Sequence, residues 1–169
     1  IIKANDGDST PYGNDQISTE LQEKFSEIFE KEVIVFPTAS GTAANALALS
    51  TMTPSFGNIY CHKLSHINTD ECGAPEFYTG GGKLVTLQGI NGKITAKELD
   101  EAIGGKGIVH HTQPSSVSIT QVCETGEVYQ IDEIKKISDV AHKHSLNMHM
   151  DGARFANALV SLDVTPAEM

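Results

Sequence analysis

The chain has 169 residues, 39% of them hydrophobic, which is enough to bury a core of ordinary single-domain size. Its 22 acidic and 12 basic side chains give a formal net charge of -10, and this excess of negative charge argues against a nucleic-acid partner. The sequence has no apolar stretch near the roughly 20 residues that cross a bilayer and no signal-peptide layout, so it predicts a cytoplasmic protein without a membrane partner.

Helix and strand patterns alternate along the chain from about Ser18. The first helix is predicted from apolar residues at three- and four-residue spacing, with the hydroxyls of Ser18 and Thr19 as capping groups. These apolar residues are Leu21, Phe25, Ile28 and Phe29. The β-branched and aromatic run 33–36 predicts a strand, and the Ala- and Leu-rich run 42–50 predicts a helix packed on a sheet.

The rest of the chain continues the same alternation. Further short strands are predicted at 58–61, 84–87, 117–122 and 146–150. Thr95 and Glu98 have the spacing of a capping box for one helix, Asp132 is the predicted cap of another, and a last helix is predicted from about Arg154. This alternation predicts an α/β fold with a mainly parallel sheet flanked by helices.

The cysteines and histidines do not have the spacing of a metal site. The cysteines are odd in number and lack C-x-x-C spacing, so neither a disulfide framework nor a zinc site is predicted. The closely spaced candidate ligands also lack zinc spacing; they are the histidine pairs His110-His111 and His142-x-His144 and the combination His149-x-Asp151. We therefore expect no metal. Cys123 has no basic neighbour in sequence that would activate it as a catalytic thiol.

The strand predicted at 146–150 leads directly to Asp151, and Arg154 follows three residues later. Ligands of open α/β sheets bind beyond the carboxyl ends of the strands, so both side chains are expected to face a crevice. Together they offer an anion for a ring nitrogen and a cationic fork for a carboxylate, which suits amino-acid chemistry on a pyridinium cofactor. The alternative is that Asp151 caps the following helix and Arg154 lies on its surface.

Two further segments are candidates for the same crevice. Ser40, Gly41 and Thr42 join a strand to a helix, where backbone amides and hydroxyls could cradle the phosphate of a small cofactor; a helix cap without a ligand is the alternative. His66 follows the strand predicted at 58–61 and could present its ring to a planar cofactor, whereas a lone loop histidine is more often simply hydrogen-bonded or solvated.

Four motifs, in order along the chain, resemble those of the threonine aldolase branch of the β-eliminating lyases. These are pyridoxal-phosphate enzymes of the aspartate aminotransferase fold, fold type I. Residues 12–15 are similar to the family's Y-G-x-D, and Ser40-Gly41-Thr42 with Asn45 to its S-G-T-x-x-N. Residues 65–74 match S-H-I…E-x-G-A, and residues 149–154 match H-x-D-G-A-R.

The resemblance implies a role for each matched residue. Ser40, Gly41 and Thr42 would bind the phosphate of pyridoxal 5′-phosphate. His66 would stack on the pyridine ring and is a candidate for the base that takes the β-hydroxyl proton. Asp151 would hold the ring nitrogen, and Arg154 the substrate carboxylate. The implied reaction is aldol cleavage of threonine-type β-hydroxy-α-amino acids to glycine and an aldehyde, in a homodimer or homotetramer.

The chain also departs from the family pattern. Where the family has E-N-x-H, residues 120–123 read Thr-Gln-Val-Cys, so Cys123 replaces a histidine. No lysine follows Lys143, whereas the family's cofactor-binding lysine lies beyond the position of Asp151. We therefore expect 1–17 to be a lead-in segment, 18–169 to be an incomplete large cofactor domain, and this chain alone to be nearly inactive. The alternatives are a lyase or aminotransferase acting on another amino acid and a noncatalytic cofactor-binding domain.

Overall fold

The computed structural model describes residues 6–169. These residues fall into two compact units, one made of 6–37 with 164–169 and the other of Thr38–Asp163. The division predicted from the sequence, 1–17 and 18–169, stays a prediction, and its first five residues lie outside the described part of the chain. Among the described helices, none has the length and apolar character needed to cross a membrane.

The first unit contains helix α1, Gln16–Ile28. Asp15 caps this helix, because its Oδ1 accepts a hydrogen bond from the amide of Ser18 at 3.0 Å. The prediction that Ser18 and Thr19 supply the cap is therefore wrong. Both residues lie inside the first turn, where the Ser18 hydroxyl donates to Asp15 Oδ2 at 2.7 Å.

The predicted strand at 33–36 is also wrong, since this segment has no regular secondary structure. Its amides are bound by side chains of α1. Val35 donates to Gln22 Oε1 at 2.9 Å, and Val33 donates to Ser26 Oγ at 3.3 Å. A strand needs a neighbouring strand for its backbone groups, so the β propensity of this run is overridden by its tertiary contacts.

The second unit consists of parallel strands with helices between them. Its elements in chain order are α2 (Gly41–Met52), β1 (Gly57–His62), α3 (His66–Thr69), α4 (Ala74–Tyr78), β2 (Lys83–Leu87), α5 (Ala96–Ala102), β3 (Gln113–Thr120), α6 (Ile131–Lys143), β4 (Asn147–Asp151) and α7 (Phe155–Leu162). The described strands form one sheet in the order β2-β1-β3-β4, and every neighbouring pair is parallel. The predicted α/β class, with a parallel sheet flanked by helices, is confirmed.

The two faces of the sheet differ in polarity at β3 and β4. Val117 and Ile119 of β3 point into the larger core cluster, which α5 and α6 cover with Leu99 and Ile137. The alternate residues of β3 face the other way, where the Ser118 hydroxyl lies 2.8 Å from His149 Nδ1 of β4. Because side chains alternate along a strand, Asp151 lies on the same polar face as His149.

The helix caps in this unit agree only partly with the sequence prediction. Thr95 caps α5 by accepting a hydrogen bond from the amide of Glu98 at 3.1 Å, as predicted. The carboxylate of Glu98, however, accepts from the Gly89 amide at 2.9 Å. Only half of the predicted capping box is therefore present, because a loop amide binds the acid that was expected to turn back on the helix.

Helix α6 begins one residue before the predicted cap. Gln130 is the cap and forms a reciprocal capping box with Glu133, whose carboxylate accepts from the Gln130 amide at 2.7 Å. Asp132, the predicted cap, lies in the first turn and pairs with Lys136 at 2.7 Å. An acid in the first turn still complements the positive end of the helix dipole.

Tyr129 fastens the loop before α6 to the rest of the unit. Its ring is almost fully buried, and its hydroxyl accepts the amide hydrogen of Ile94 at 2.7 Å. Tyr129→Phe is expected to lower the free energy of unfolding by about 1–3 kcal/mol, because it leaves the buried Ile94 amide without a partner. Urea unfolding tests this, with exposed Tyr78→Phe as control; equal stability of the two variants would contradict the prediction.

Candidate active site

Asp151 is the last residue of β4 and lies at the carboxyl edge of the sheet. Its side chain is buried. Oδ1 accepts a hydrogen bond from the Ala153 amide at 3.0 Å, and Oδ2 accepts one from Asn45 Nδ2 at 3.0 Å. No cationic side chain within residues 6–169 forms an ion pair with this carboxylate. The carboxylate is therefore fixed by neutral hydrogen-bond donors.

Asn45, on α2, joins two carboxylates that come from distant parts of the chain. Its Nδ2 donates to Glu71 Oε1 at 2.7 Å as well as to Asp151 Oδ2. Both acids and the amide are buried. An amide nitrogen suits this position because it carries two hydrogens and can satisfy both acceptors without adding charge.

His66 completes this network. It begins α3, just after β1, and its Nδ1 donates to Glu71 Oε1 at 3.0 Å. The hydrogen bond to Glu71 raises the pKa of His66, because a carboxylate partner favours the charged imidazolium, and this outweighs the opposing effect of partial burial. Glu71 Oε2 is buried and has no hydrogen-bond partner among the described residues. Hydrogen bonds thus connect His66, Glu71, Asn45 and Asp151 in one chain.

Removing the charge of Glu71 should return the pKa of His66 toward its ordinary range. In Glu71→Gln the strongest interaction that favours imidazolium is lost, so NMR titration of the His66 ring should give a lower pKa than in the unchanged protein. The raised pKa adds stability below about pH 6.5 that fades as pH rises through the folded-state pKa, and the variant should lose this dependence. Asp70→Asn, whose charge acts more weakly on the ring, is the matched control. An equal or larger shift in the control would contradict the assignment.

The predicted phosphate segment forms the beginning of α2. Ser40 is the helix cap, and its hydroxyl accepts from the Ala43 amide at 3.2 Å. Gly41 and Thr42 are the first residues of the helix, and the backbone at Gly41 has open space around it. Asn45 lies one turn further along the same helix. The N-terminal turn of α2 is therefore part of the same helix as Asn45, which binds Asp151.

Arg154 lies at the N-terminal end of α7, three residues beyond Asp151, and its side chain makes no capping hydrogen bond. Its Nε donates to the carbonyl oxygen of Val122 at 2.9 Å, and its Nη2 donates to Glu124 Oε1 at 2.8 Å. Both partners lie in the loop that follows β3. The guanidinium is thus partly engaged with protein groups, an arrangement that the spacing of Asp151 and Arg154 does not reveal.

Cys123 lies in the same loop, and its environment agrees with the expectation of an unreactive thiol. Burial raises the pKa of Cys123 to about 12, and its Sγ contacts the carbonyl oxygen of Thr120 at 3.4 Å. Burial likewise raises the pKa of Cys61 to about 11. Within residues 6–169, no group of three His, Cys, Asp or Glu side chains is placed to hold a metal ion.

Sequence reasoning missed the roles of Asn45, Glu71 and Glu124. Asn45 and Glu71 belong to recognised motifs, yet nothing in either motif states that one amide bridges Glu71 and Asp151. Glu124 lies outside all four motifs. The signal that could have found Asn45 is its polar character next to Ala46 and one turn before Leu49, which both pack inward, since buried polar side chains require partners. Glu71 has no such signal, because its neighbours Asp70 and Cys72 are exposed.

Comparisons with known proteins identify relatives of this chain. The chain is 44% identical over 167 residues to the "Low specificity L-threonine aldolase" of a Pseudomonas species, covering 99% of this chain and 48% of the relative. It is 40% identical to the protein of the same name from Pseudomonas aeruginosa, covering 100% of this chain and 49% of that one. The chain thus spans about half the length of the curated relatives it matches.

Solved structures give the same result. The threonine aldolase of Leishmania major superimposes with a TM-score of 0.90 at 29% identity, over 99% of this chain and 49% of that chain. A variant of a serine palmitoyltransferase of S. paucimobilis, with a bound PLP–myriocin aldimine, matches with a TM-score of 0.59 at 18% identity, over 86% of this chain and 33% of that one, which is a likeness of fold. The family model described as "Beta-eliminating lyase" matches residues 1–169, and the chain therefore belongs to the pyridoxal-phosphate-dependent β-eliminating lyase family.

Proposed function

We propose that the whole protein cleaves threonine-type β-hydroxy-α-amino acids to glycine and an aldehyde with the help of pyridoxal 5′-phosphate. The observation that carries the proposal is the buried carboxylate of Asp151, held at the end of β4 by Asn45 and linked through Glu71 to His66. The relatives from two Pseudomonas species carry the name of this activity. Because the chain spans about half of each relative, the activity is proposed for the whole protein.

The residues around Asp151 fit this cofactor. A buried carboxylate without a cationic partner is costly, and a protonated pyridine nitrogen would supply the missing charge. Ser40, Gly41 and Thr42 would hold the phosphate at the amide end of α2, where the helix dipole favours an anion. When bound, pyridoxal phosphate supplies an electron-accepting ring for the electrons of the broken carbon–carbon bond.

The chain's own residues then have separate tasks. Asp151 would keep a proton on the ring nitrogen, Arg154 would bind the substrate carboxylate, and His66 would stack on the ring and accept the proton of the β-hydroxyl, directly or through water. Only neutral His66 can accept that proton. Since Glu71 raises the pKa of His66, cleavage should increase as the pH rises through that pKa.

The direct test is product analysis with the whole protein, supplied with L-threonine and L-allo-threonine. The proposal expects glycine and acetaldehyde in equal amounts. The family description also leaves a β-elimination open, which would release ammonia and a keto acid. Release of ammonia and a keto acid without glycine would show that the reaction is a β-elimination and not the proposed cleavage. The absence of any turnover would favour a noncatalytic cofactor-binding domain.

We further propose a cytoplasmic homodimer or homotetramer. The three cysteines are all free, which supports a reducing compartment such as the cytoplasm. The resemblance of the four motifs to the threonine aldolase branch supports the assembly. Light scattering of the purified whole protein tests the assembly, and a monomeric mass at working concentration would contradict it.

A further inference from the structure

The guanidinium of Arg154 is held from the side by the loop that follows β3. Val122 binds it through a carbonyl oxygen at 2.9 Å from Nε, and Glu124 binds it through Oε1 at 2.8 Å from Nη2. Glu124 is the more buried partner, with 19% of its side chain exposed against 41% for Arg154. A partly buried acid therefore holds a more exposed base.

These two contacts leave most of the guanidinium available. A guanidinium has five N–H donors, and the two contacts use one on Nε and one on Nη2. Nη1 makes no hydrogen bond with any residue between 6 and 169. The free donors can still bind a second carboxylate while Glu124 and the Val122 carbonyl fix the plane of the group.

We propose that Glu124 is a positioning residue that orients Arg154 for the carboxylate of the amino-acid substrate. This proposal rests on the proposed function, because it takes Arg154 as the group that binds that carboxylate. Glu124 does not itself bind the substrate carboxylate, since two carboxylates repel each other. It acts by keeping the guanidinium in one orientation. Without this contact, the flexible side chain of Arg154 would adopt several orientations.

If Glu124 acts by positioning Arg154, its replacement by Ala and its replacement by Gln should have different effects on binding of the substrate carboxylate. Glu124→Ala removes the hydrogen bond and frees the guanidinium to rotate away, so binding of the substrate carboxylate should weaken. Glu124→Gln keeps an oxygen that can accept from Nη2 and removes the negative charge that repels the substrate. Carboxylate binding should therefore stay the same or become tighter in Glu124→Gln.

The experiment uses the whole protein with its cofactor and measures KM and kcat for L-threonine, together with the dissociation constant of glycine from the change in cofactor absorbance. Glu124→Ala should raise both KM and the glycine dissociation constant by about tenfold, the loss expected for one charge-assisted hydrogen bond. It should change kcat by less than about threefold, as expected when binding is lost equally in the ground and transition states. Glu124→Gln should leave KM unchanged or lower it.

Glu127 offers a matched control, because it lies in the same loop, is exposed and makes no side-chain hydrogen bond within the described chain. Glu127→Ala and Glu127→Gln should leave KM and the glycine dissociation constant unchanged. Equal increases in KM for Glu124→Ala and Glu124→Gln, or no increase for either, would overturn the proposal. The melting temperatures of all four variants show whether a change in KM follows a loss of folded protein.

The failure of this inference can be distinguished from failure of the proposed function. If the unchanged protein does not release glycine from threonine, the proposed function fails. If it does release glycine, but Arg154→Gln leaves glycine binding unchanged, then the carboxylate-binding role of Arg154 and the inference about Glu124 both fail, whereas the proposed reaction stands.

Discussion

Asp151→Asn in the whole protein is expected to slow threonine cleavage about a thousandfold, which corresponds to about 4 kcal/mol of transition-state stabilisation. An amide cannot hold a proton on the ring nitrogen as a carboxylate does, so the cofactor becomes a weaker electron acceptor. Glycine binding should weaken much less, because the loss falls on the transition state. Steady-state kinetics and a glycine titration measure both effects.

Asp151→Asn should also lower the free energy of unfolding, and this effect must be measured separately from the effect on cleavage. The oxygen of the introduced amide can still accept from the Ala153 amide, but its nitrogen would face Nδ2 of Asn45, where two donors meet. We expect a loss of about 1–3 kcal/mol in unfolding free energy. Exposed Asp139→Asn is the control and should change neither quantity. Cleavage at the unchanged rate in Asp151→Asn would remove Asp151 from the mechanism.

Asn45→Asp is expected to be among the most destabilising single substitutions in the second unit, with a loss of about 3–5 kcal/mol in unfolding free energy near pH 8. The change replaces a donor that lies 2.7 Å from Glu71 Oε1 and 3.0 Å from Asp151 Oδ2 by a third carboxylate. Three buried acids then meet with no donor between them. Urea unfolding of the whole protein measures the loss.

The loss in Asn45→Asp should depend on pH in a defined direction. A proton bound between the three carboxyl groups restores a donor, so the folded variant binds more protons than the unfolded chain and its stability falls as pH rises. The deficit relative to the unchanged protein should therefore be smaller at pH 5 than at pH 8. Asn157→Asp, on the exposed face of α7, is the matched control. A deficit that is the same at both pH values would contradict the proposed crowding of charge.

The sequence predicted the parallel sheet and the proximity of His66 to Asp151, because both follow from local signals. The strands near 58–61, 84–87 and 146–150 are short apolar runs bounded by turn residues, and parallel strands place their carboxyl ends together. His66 and Asp151 were therefore expected in one crevice. The short helices α3 and α4 were not predicted, because four or five residues carry too little periodicity to identify a helix.

Long-range contacts account for what the sequence did not predict. The run 33–36 has the composition of a strand, but side chains of α1 bind its amides. Asn45 is 106 residues from Asp151, and Glu124 is 30 residues from Arg154, so no local pattern connects either pair. The predicted capping box of α5 is incomplete for the same reason, because the carboxylate of Glu98 binds a loop amide instead of the start of its own helix.

Because Asn45 bridges Glu71 and Asp151, binding of the proposed cofactor should depend on the tertiary structure around these residues. One amide joins α2 to the loop after α3 and to the end of β4, so the groups proposed to hold the cofactor come together only when these three segments have docked. A partly folded chain would retain helices and yet bind nothing at this position. Titration with the cofactor would then report the fraction of molecules in which α2 has docked against the end of β4.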